Sequence, residues 1–71
     1  MTEDVFLKKL ANNISKIRKA KKLTIMDVAS RCNMEKSNWV RMESGGRFPT
    51  VRTLFKVANV LEVEIKDLFD F

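Results

Sequence analysis

Residues 24–45, with the sequence TIMDVASRCNMEKSNWVRMESG, contain the pattern that decides the fold. Thr24 and Asp27 form a pair that resembles a capping box at the start of one short helix, although aspartate is shorter than the glutamate preferred there. Asn33 follows where this helix must turn, and asparagine tolerates the left-handed backbone conformation better than most residues. The pattern therefore predicts a helix of about two turns that ends in a tight turn.

A second short helix begins at Glu35 or Lys36 and ends near Ser44, with Gly45 as its stop. The small residue Ala29 in the first helix lets the two helix axes approach closely. The apolar residues of both helices are spaced to close one small core between them: Val28, Ala29, Cys32, Met34, Trp39 and Met42. This spacing is the mechanical requirement of a helix-turn-helix unit, which we place at about residues 25–44.

Further helices are predicted on both sides of this unit. A helix from about Asp4 to Ala20 carries apolar residues at spacings of three and four: Leu7, Leu10, Ile14 and Ile17. Thr50 is a suitable N-cap for a fourth helix, whose apolar face would be Val51, Leu54, Val57, Ala58 and Leu61. A last short helix is indicated by Ile65, Leu68 and Phe69. The sequence thus predicts an all-α protein, a compact five-helix bundle, with residues 1–71 as a single domain.

The outer face of the third helix has an unusual composition for a solvated surface. On a helical wheel with Trp39 at the origin, Ser37 and Arg41 lie at roughly 160° and 200° and point away from the core. The exposed residues of this helix are then Lys36, Ser37, Asn38, Val40 and Arg41. Arginine suits guanine, asparagine suits adenine, serine suits either, and valine suits the methyl group of thymine. The mixture favours reading of base edges over the alternative, an ordinary polar surface.

Positive charge is concentrated at the N-terminal end of the chain. The net charge of +5 arises within residues 1–22, whereas residues 23–49 carry +1 and residues 50–71 carry −1. The excess lies at Lys16, Arg18, Lys19, Lys21 and Lys22. Nucleic acid is the expected partner of such a cluster, and the alternative is a solvated end of an amphipathic helix.

Several functional classes are disfavoured by composition. The chain has no histidine, one cysteine, no glycine-rich phosphate loop and no clustered carboxylates, so we expect neither catalysis nor a metal or other cofactor. The single Cys32 cannot form an internal disulfide, which fits a reducing compartment. No apolar run approaches a membrane span, and the N-terminus lacks the features of a signal peptide, so we expect a cytoplasmic location without a membrane partner.

Several motifs, in this order and at this spacing, make the chain resemble the Cro/CI-type helix-turn-helix domains of the XRE family. They are the segments 14–18 (ISKIR), 23–29 (LTIMDVA), 42–45 (MESG), 49–50 (PT) with Leu54, and 67–69 (DLF). The resemblance covers about residues 10–69. It implies a five-helix fold of the lambda-repressor-like type, which dimerises on a near-palindromic double-stranded DNA operator and inserts its third helix into the major groove.

The resemblance also implies roles for particular residues. Base-reading positions would be Lys36, Ser37 and Arg41, with Asn38 as a further base or phosphate contact. Positions that contact the DNA backbone would be Thr24, Ser44 and Arg47. Arg18 and Glu43 match a pair that forms a salt bridge in many family members, which would leave part of Arg18 free for a phosphate.

Three residues depart from the family pattern. Ile25 stands where glutamine often binds a phosphate, so one expected anchor is missing. Asn33 replaces the usual glycine of the turn. Trp39 replaces a smaller aliphatic residue, so the core must make room for its indole ring.

Other functions remain open at this stage. An antitoxin or anti-repressor could keep the fold and bind protein through the apolar residues Phe55, Val60, Phe69 and Phe71, which we otherwise assign to satellite core and a homodimer interface. RNA binding is disfavoured because tyrosine is absent and Trp39 is predicted to be buried. Cys32 is a redox switch in one interpretation and a small core residue in the favoured one. We expect a repressor or autoregulatory controller without a small-molecule ligand, regulated by its own concentration through dimerisation.

Overall fold

The computed structural model describes all residues from Met1 to Phe71. The chain forms four α-helices and one short 3₁₀ helix, with no strand. The α-helices are α1 (Glu3–Ala20), α2 (Ile25–Arg31), α3 (Lys36–Glu43) and α4 (Val51–Leu61), and the 3₁₀ helix is Ile65–Phe69. The all-α prediction is confirmed, and each helix lies where the sequence predicted one.

The predicted five-helix bundle is wrong in one detail, because the last element is not an α-helix. Its five residues form i to i+3 hydrogen bonds, as between the Asp67 N–H and the Glu64 carbonyl oxygen at 2.9 Å. So short a segment cannot complete a second α-helical turn, and short terminal pieces commonly adopt the tighter 3₁₀ geometry. The Asp67 carboxylate accepts a hydrogen bond from the Glu64 N–H at 2.9 Å, which holds the start of this element.

At three helix ends, a residue other than glycine adopts the left-handed backbone conformation. Asn33 has φ 54°, which confirms the turn predicted after α2. Lys22 after α1 and Glu62 after α4 adopt φ 59° and 57°, and the sequence did not indicate either. After α3, Gly45 has φ 74° and lies against α1, where an added Cβ would meet the Lys8 Cγ at 3.3 Å. The positive φ and the close contact with α1 both favour glycine at this position.

The core brings all the helices together around Trp39, whose side chain is fully buried. Twelve buried residues form one cluster: Leu10, Ile14, Val28, Ala29, Cys32, Trp39, Met42, Leu54, Val57, Ala58, Leu61 and Leu68. Val51, predicted to line the apolar face of α4, is instead 75% exposed, because it is the first residue of the helix and the core begins one turn later at Leu54. None of the helices combines the length and apolar character that crossing a membrane requires.

Candidate nucleic-acid interface

The helix α3 presents one buried side and one exposed side. Trp39 and Met42 are buried, whereas five residues are exposed: Lys36, Ser37, Asn38, Val40 and Arg41. These are the five residues that the helical wheel predicted to face outward, and Val40 is 44% exposed in spite of its apolar side chain. The structure therefore brings all five candidate base-reading residues to a single surface of one helix.

A buried ion pair fixes α3 on the side opposite to its exposed face. The Nε of Arg18 on α1 lies 2.6 Å from Oε2 of Glu43 at the end of α3, and its Nη2 lies 3.1 Å from Oε1. The Nη1 of Arg18 donates to the carbonyl oxygen of Leu23 at 2.8 Å, next to the start of α2. The indole N–H of Trp39 donates to Oε2 of Glu43 as well. These bonds tie α1, α3 and the loop before α2 together.

The donors around Glu43 outweigh the cost of its burial. Burial raises the pKa of this carboxyl, but hydrogen bonds from Arg18 and Trp39 and the positive charge of Arg18 lower it more, so the pKa lies below its ordinary value of 4.5. The carboxylate is therefore ionised at neutral pH, and no buried side-chain nitrogen or oxygen lacks a hydrogen-bond partner. An ion pair satisfied in this way resists rearrangement, because removing one partner leaves a buried, uncompensated charge.

Thr24, a candidate phosphate contact, is the N-cap of α2 and lies exposed. Its hydroxyl oxygen accepts from the Asp27 N–H at 3.1 Å, and the Asp27 carboxylate accepts from the Thr24 N–H at 3.1 Å, so the aspartate completes the capping box. Hydrogen bonds to its carboxylate from the side chain and from the N–H of Thr24 hold the pKa of Asp27 below its usual 3.8. The hydroxyl of Thr24 also bonds to the Asp27 carboxylate, so it must turn away from that partner before it can donate to a phosphate oxygen.

A shallow basic depression surrounds Thr24. It is lined by Arg18, Lys22, Leu23, Thr24, Ile25, Met26 and Lys36. The side chain of Arg18 is only 10% exposed, so most of its guanidinium serves the ion pair and little of it faces the depression. Lys22 was part of the basic cluster but was not singled out, and the left-handed turn at this residue brings it into the depression. The signal in the sequence was the cluster of lysines directly before the Thr24 cap.

The other two candidate phosphate contacts lie after α3, outside the basic depression. Ser44 is exposed, but its hydroxyl donates to the Arg41 carbonyl oxygen at 2.9 Å, so it must turn away from that bond before it can donate to a phosphate. Arg47 is exposed in the loop before α4 and forms no ion pair. Together with Asn38 it lines a cleft between α3 and this loop, which is floored by Met34, Met42 and Phe48. Asn38 and Arg47 therefore line the same cleft.

The departures from the family pattern have structural consequences. Ile25 is half-buried and packs against the core, and its apolar side chain has no donor for a phosphate. Cys32 is buried in the core, and burial raises the pKa of its thiol. This arrangement favours the core interpretation over a redox switch, since the reactive thiolate is disfavoured. No cluster of three or more potential metal ligands lies anywhere in the chain.

The four apolar candidates for a partner surface do not form one patch. Val60 packs against the core. Phe69 and Phe71 pack on Phe6 of α1, with ring centroids 6.0 and 5.6 Å apart. Phe55 is 60% exposed and lines a groove between α4 and the 3₁₀ helix with Ile65. Only Phe55 is therefore left largely without a partner within the chain.

Residues 10–69 match the family described as Helix-turn-helix domain, which is most of the chain. The chain is similar to YqaE of Bacillus subtilis (strain 168), an uncharacterized HTH-type transcriptional regulator, with 33% identity over 55 residues. This alignment covers 78% of the chain and 47% of YqaE, so the chain spans about half the length of that relative.

Two solved structures show a similar fold over nearly the whole chain. The restriction-modification controller protein C.AhdI from Aeromonas hydrophila has a TM-score of 0.86 at 27% identity, covering 89% of this chain and 96% of that one. The restriction-modification controller protein C.Esp1396I, a tetramer in complex with its natural 35 base-pair operator, has a TM-score of 0.78 at 27% identity, covering 92% and 96%. With the capping box, the turn at Asn33 and the exposed face of α3, these matches lead to one assignment. The chain belongs to the helix-turn-helix domain family and is a DNA-binding domain of the XRE type.

Proposed function

We propose that residues 1–71 act as a single DNA-binding domain, which binds a near-palindromic double-stranded DNA operator as a homodimer and serves as a repressor or autoregulatory controller of transcription. Its helix-turn-helix unit, at about residues 25–44, inserts α3 into the major groove. The observation that carries this proposal is the exposed face of α3. This face carries one lysine, one serine, one asparagine, one valine and one arginine, on a helix that is fixed by buried residues.

Each exposed residue of α3 has a chemical role in this proposal. Arg41 donates two hydrogen bonds to a guanine, and Asn38 pairs with an adenine. Val40 contacts a thymine methyl group, while Ser37 bonds to either kind of edge. Lys36, at the start of the helix, reaches a base or an adjacent phosphate, because the N-terminal residues of a recognition helix approach the base edges most closely.

Two groups on either side of α3 hold the DNA backbone. Thr24 and Lys22 in the basic depression contact one strand, and Arg47 on the loop before α4 contacts the other. Arg18 contributes through its small exposed part, and Ser44 contributes after its hydroxyl turns away from Arg41. Such contacts set affinity and orientation but carry no sequence information, so they make binding depend on salt.

Size and charge support the dimer. Two α3 helices that read one face of the duplex must lie about 34 Å apart, a distance comparable to the longest dimension of a protomer, 32 Å. Two copies repel each other most through residues 1–22, which carry +5, and little through residues 50–71, which carry a net −1. The groove beside Phe55 and Ile65 lies in that region and is the surface that we assign to the second copy.

The regulatory role rests on the kind of protein with a similar fold. Controller proteins of restriction-modification systems are among the structural neighbours, and one of them is bound to its operator. A protein that occupies an operator by mass action responds to its own concentration, since dimerisation and DNA binding are coupled. We place this activity in the cytoplasm, where a bacterial operator lies, and assign no cofactor or small-molecule ligand to it.

Selection of binding sites from a random pool of duplex DNA tests the proposal. We expect enrichment of one two-fold-symmetric site, which the protein binds about a thousandfold more tightly than scrambled DNA. The affinities for both duplexes should be measured at two salt concentrations. If no site is enriched and all binding is lost uniformly with salt, the domain is only a basic helical protein, and a protein partner becomes the better hypothesis.

A further inference from the structure

Trp39 is the one fully buried side chain on α3, and Met42 is the other buried residue of this helix. Its ring fills the centre of the core, and its indole N–H, the only polar atom of the side chain, donates to Oε2 of Glu43. The two residues lie four apart on the same helix, so this bond runs along the buried side of α3. Tryptophan therefore supplies two things at this position, an apolar ring and a directed donor.

The bond to Trp39 acts on the atom that holds the ion pair. Oε2 of Glu43 receives the indole N–H as well as Nε of Arg18, whereas Oε1 receives Nη2 of Arg18. The side chain of Ser15 on α1 also bonds to this carboxylate. With the indole as a further donor, the carboxylate plane has one orientation that satisfies every partner. Arg18 in turn donates to the carbonyl oxygen of Leu23. The orientation of Glu43 is therefore fixed relative to α1 and to the loop before α2.

We propose that the indole N–H of Trp39 is a positioning group that sets the rotation of the recognition helix α3 through Glu43 and Arg18, and thereby determines how well the protein discriminates its operator from other DNA. This inference rests on the proposed function. It assigns to Trp39 a role in specificity beyond filling the core, although the side chain is buried and touches no DNA.

The physical reason is the short range of base recognition. The tips of helical side chains lie about 6 Å from the helix axis, so a rotation of roughly 10° moves them by about 1 Å. Hydrogen bonds to base edges weaken over such a displacement, because their length and angle tolerances are narrow. Phosphate contacts from flexible lysine and arginine side chains adapt to it. A protein whose α3 is held loosely therefore loses its discrimination between operator and other DNA before it loses its general affinity for DNA.

The first test compares Trp39→Phe with Met42→Leu. Trp39→Phe keeps an aromatic ring in the core but removes the N–H, whereas Met42→Leu alters the packing of the same helix at nearly constant volume and leaves the N–H in place. The operator selected by the wild type is the probe, with scrambled duplex as the reference. Trp39→Phe should lower the ratio of the two affinities by about tenfold, the effect of one charge-assisted hydrogen bond, with scrambled DNA bound within about twofold of wild type. Met42→Leu should leave the ratio within about twofold.

Two further comparisons separate positioning from general stability. In a Glu43→Ala background, Trp39→Phe should change the ratio no further, since both substitutions remove the same bond. Equal losses from Trp39→Phe and Met42→Leu, or an unchanged ratio in Trp39→Phe, would overturn the inference. Absence of any selected operator for the wild type would instead overturn the proposed function, so the two failures are distinguishable.

A spectroscopic measurement on the wild-type protein covers the case in which Trp39→Phe does not fold. The chain contains one tryptophan, so its indole N–H gives a single nuclear magnetic resonance signal. We expect this signal to be protected from solvent exchange and to shift on acidification as Glu43 takes up a proton, and the shift should be absent in Glu43→Gln. An indole signal that exchanges freely and does not respond to acid would show that the N–H is not held by the carboxylate, and the inference would fail.

Discussion

The side-chain amide of Asn13 on α1 donates to the main-chain carbonyl oxygen of Leu68, 2.9 Å away in the C-terminal 3₁₀ helix. The same amide nitrogen donates to the carbonyl oxygen of Asp67 at 3.0 Å. The last carbonyl groups of a helix lack partners within it, and here a residue from the other end of the chain satisfies two of them. One asparagine thus attaches the C-terminal element, and with it one wall of the groove beside Phe55, to the first helix.

Asn13→Ala should lower the free energy of unfolding by about 1–3 kcal/mol, because it removes two partly buried hydrogen bonds. The adjacent Asn12→Ala is the matched control, since Asn12 is exposed on the same helix and the same change should stay within about 0.5 kcal/mol. Urea denaturation of the three proteins measures both values. Equal effects at the two positions would mean that the amide of Asn13 does not hold the C-terminal element.

The variants Arg41→Ala and Arg47→Ala should distinguish a contact to a base edge from a contact to a phosphate. Arg41→Ala should remove sequence preference at one operator position, at a cost of about 1–3 kcal/mol there, because it deletes the contact to a base edge. Arg47→Ala should weaken binding to all duplexes alike and reduce the salt slope by about one, because it deletes a phosphate contact. Binding to a panel of single-base operator variants at several salt concentrations checks both. Identical behaviour of the two variants would contradict the assignment of these roles.

The ionised Glu43 makes stability depend on pH in a defined direction. Its pKa is lowered in the folded protein, so its contribution is present above the ordinary pKa of 4.5 and is lost as the pH falls through the lowered folded value. Glu43→Gln should cost about 3 kcal/mol at neutral pH, since it leaves the charge of Arg18 buried and unpaired. The difference between wild type and variant should shrink on acidification below 4.5.

Denaturation of wild type and Glu43→Gln across this pH range provides the measurement. Asp27 also has a lowered pKa, but it is present in both proteins and its contribution cancels in the difference. A difference that stays constant from neutral to acidic pH would show that the charge of Glu43 makes no contribution to folding.

Phe55→Gln should weaken the dimer by about tenfold or more, because it removes the large exposed aromatic side chain from the proposed contact. Met26→Gln is the control, since Met26 is 70% exposed but lies on α2, away from the groove. Sedimentation equilibrium without DNA gives the association constants. A wild-type protein that stays monomeric at tens of micromolar would exclude the dimer. An equal loss of association in both variants would mean that the second copy binds elsewhere.

Local rules account for most of what could be predicted from the sequence. The capping box at Thr24, the left-handed turn at Asn33 and the bounds of α2 and α3 depend on residues within four positions of each other. The exposed face of α3 follows from helical periodicity once Trp39 is taken as buried. The pairing of Arg18 with Glu43, 25 residues apart, came only from the resemblance to a known family, because no local rule relates two residues so distant in the chain.

Other features were decided by the tertiary structure alone. The sequence indicates that Trp39 is buried, but only the packing of α1 against α3 brings Arg18 to the oxygen of Glu43 that also accepts the Trp39 N–H. The amide of Asn13 finds the carbonyl oxygen of Leu68 only because the C-terminal element returns to the first helix. Short-range patterns determine which residues form helices and which faces are apolar. Directed polar contacts between distant residues depend on how those helices are placed against each other, and that placement exists only in the folded chain.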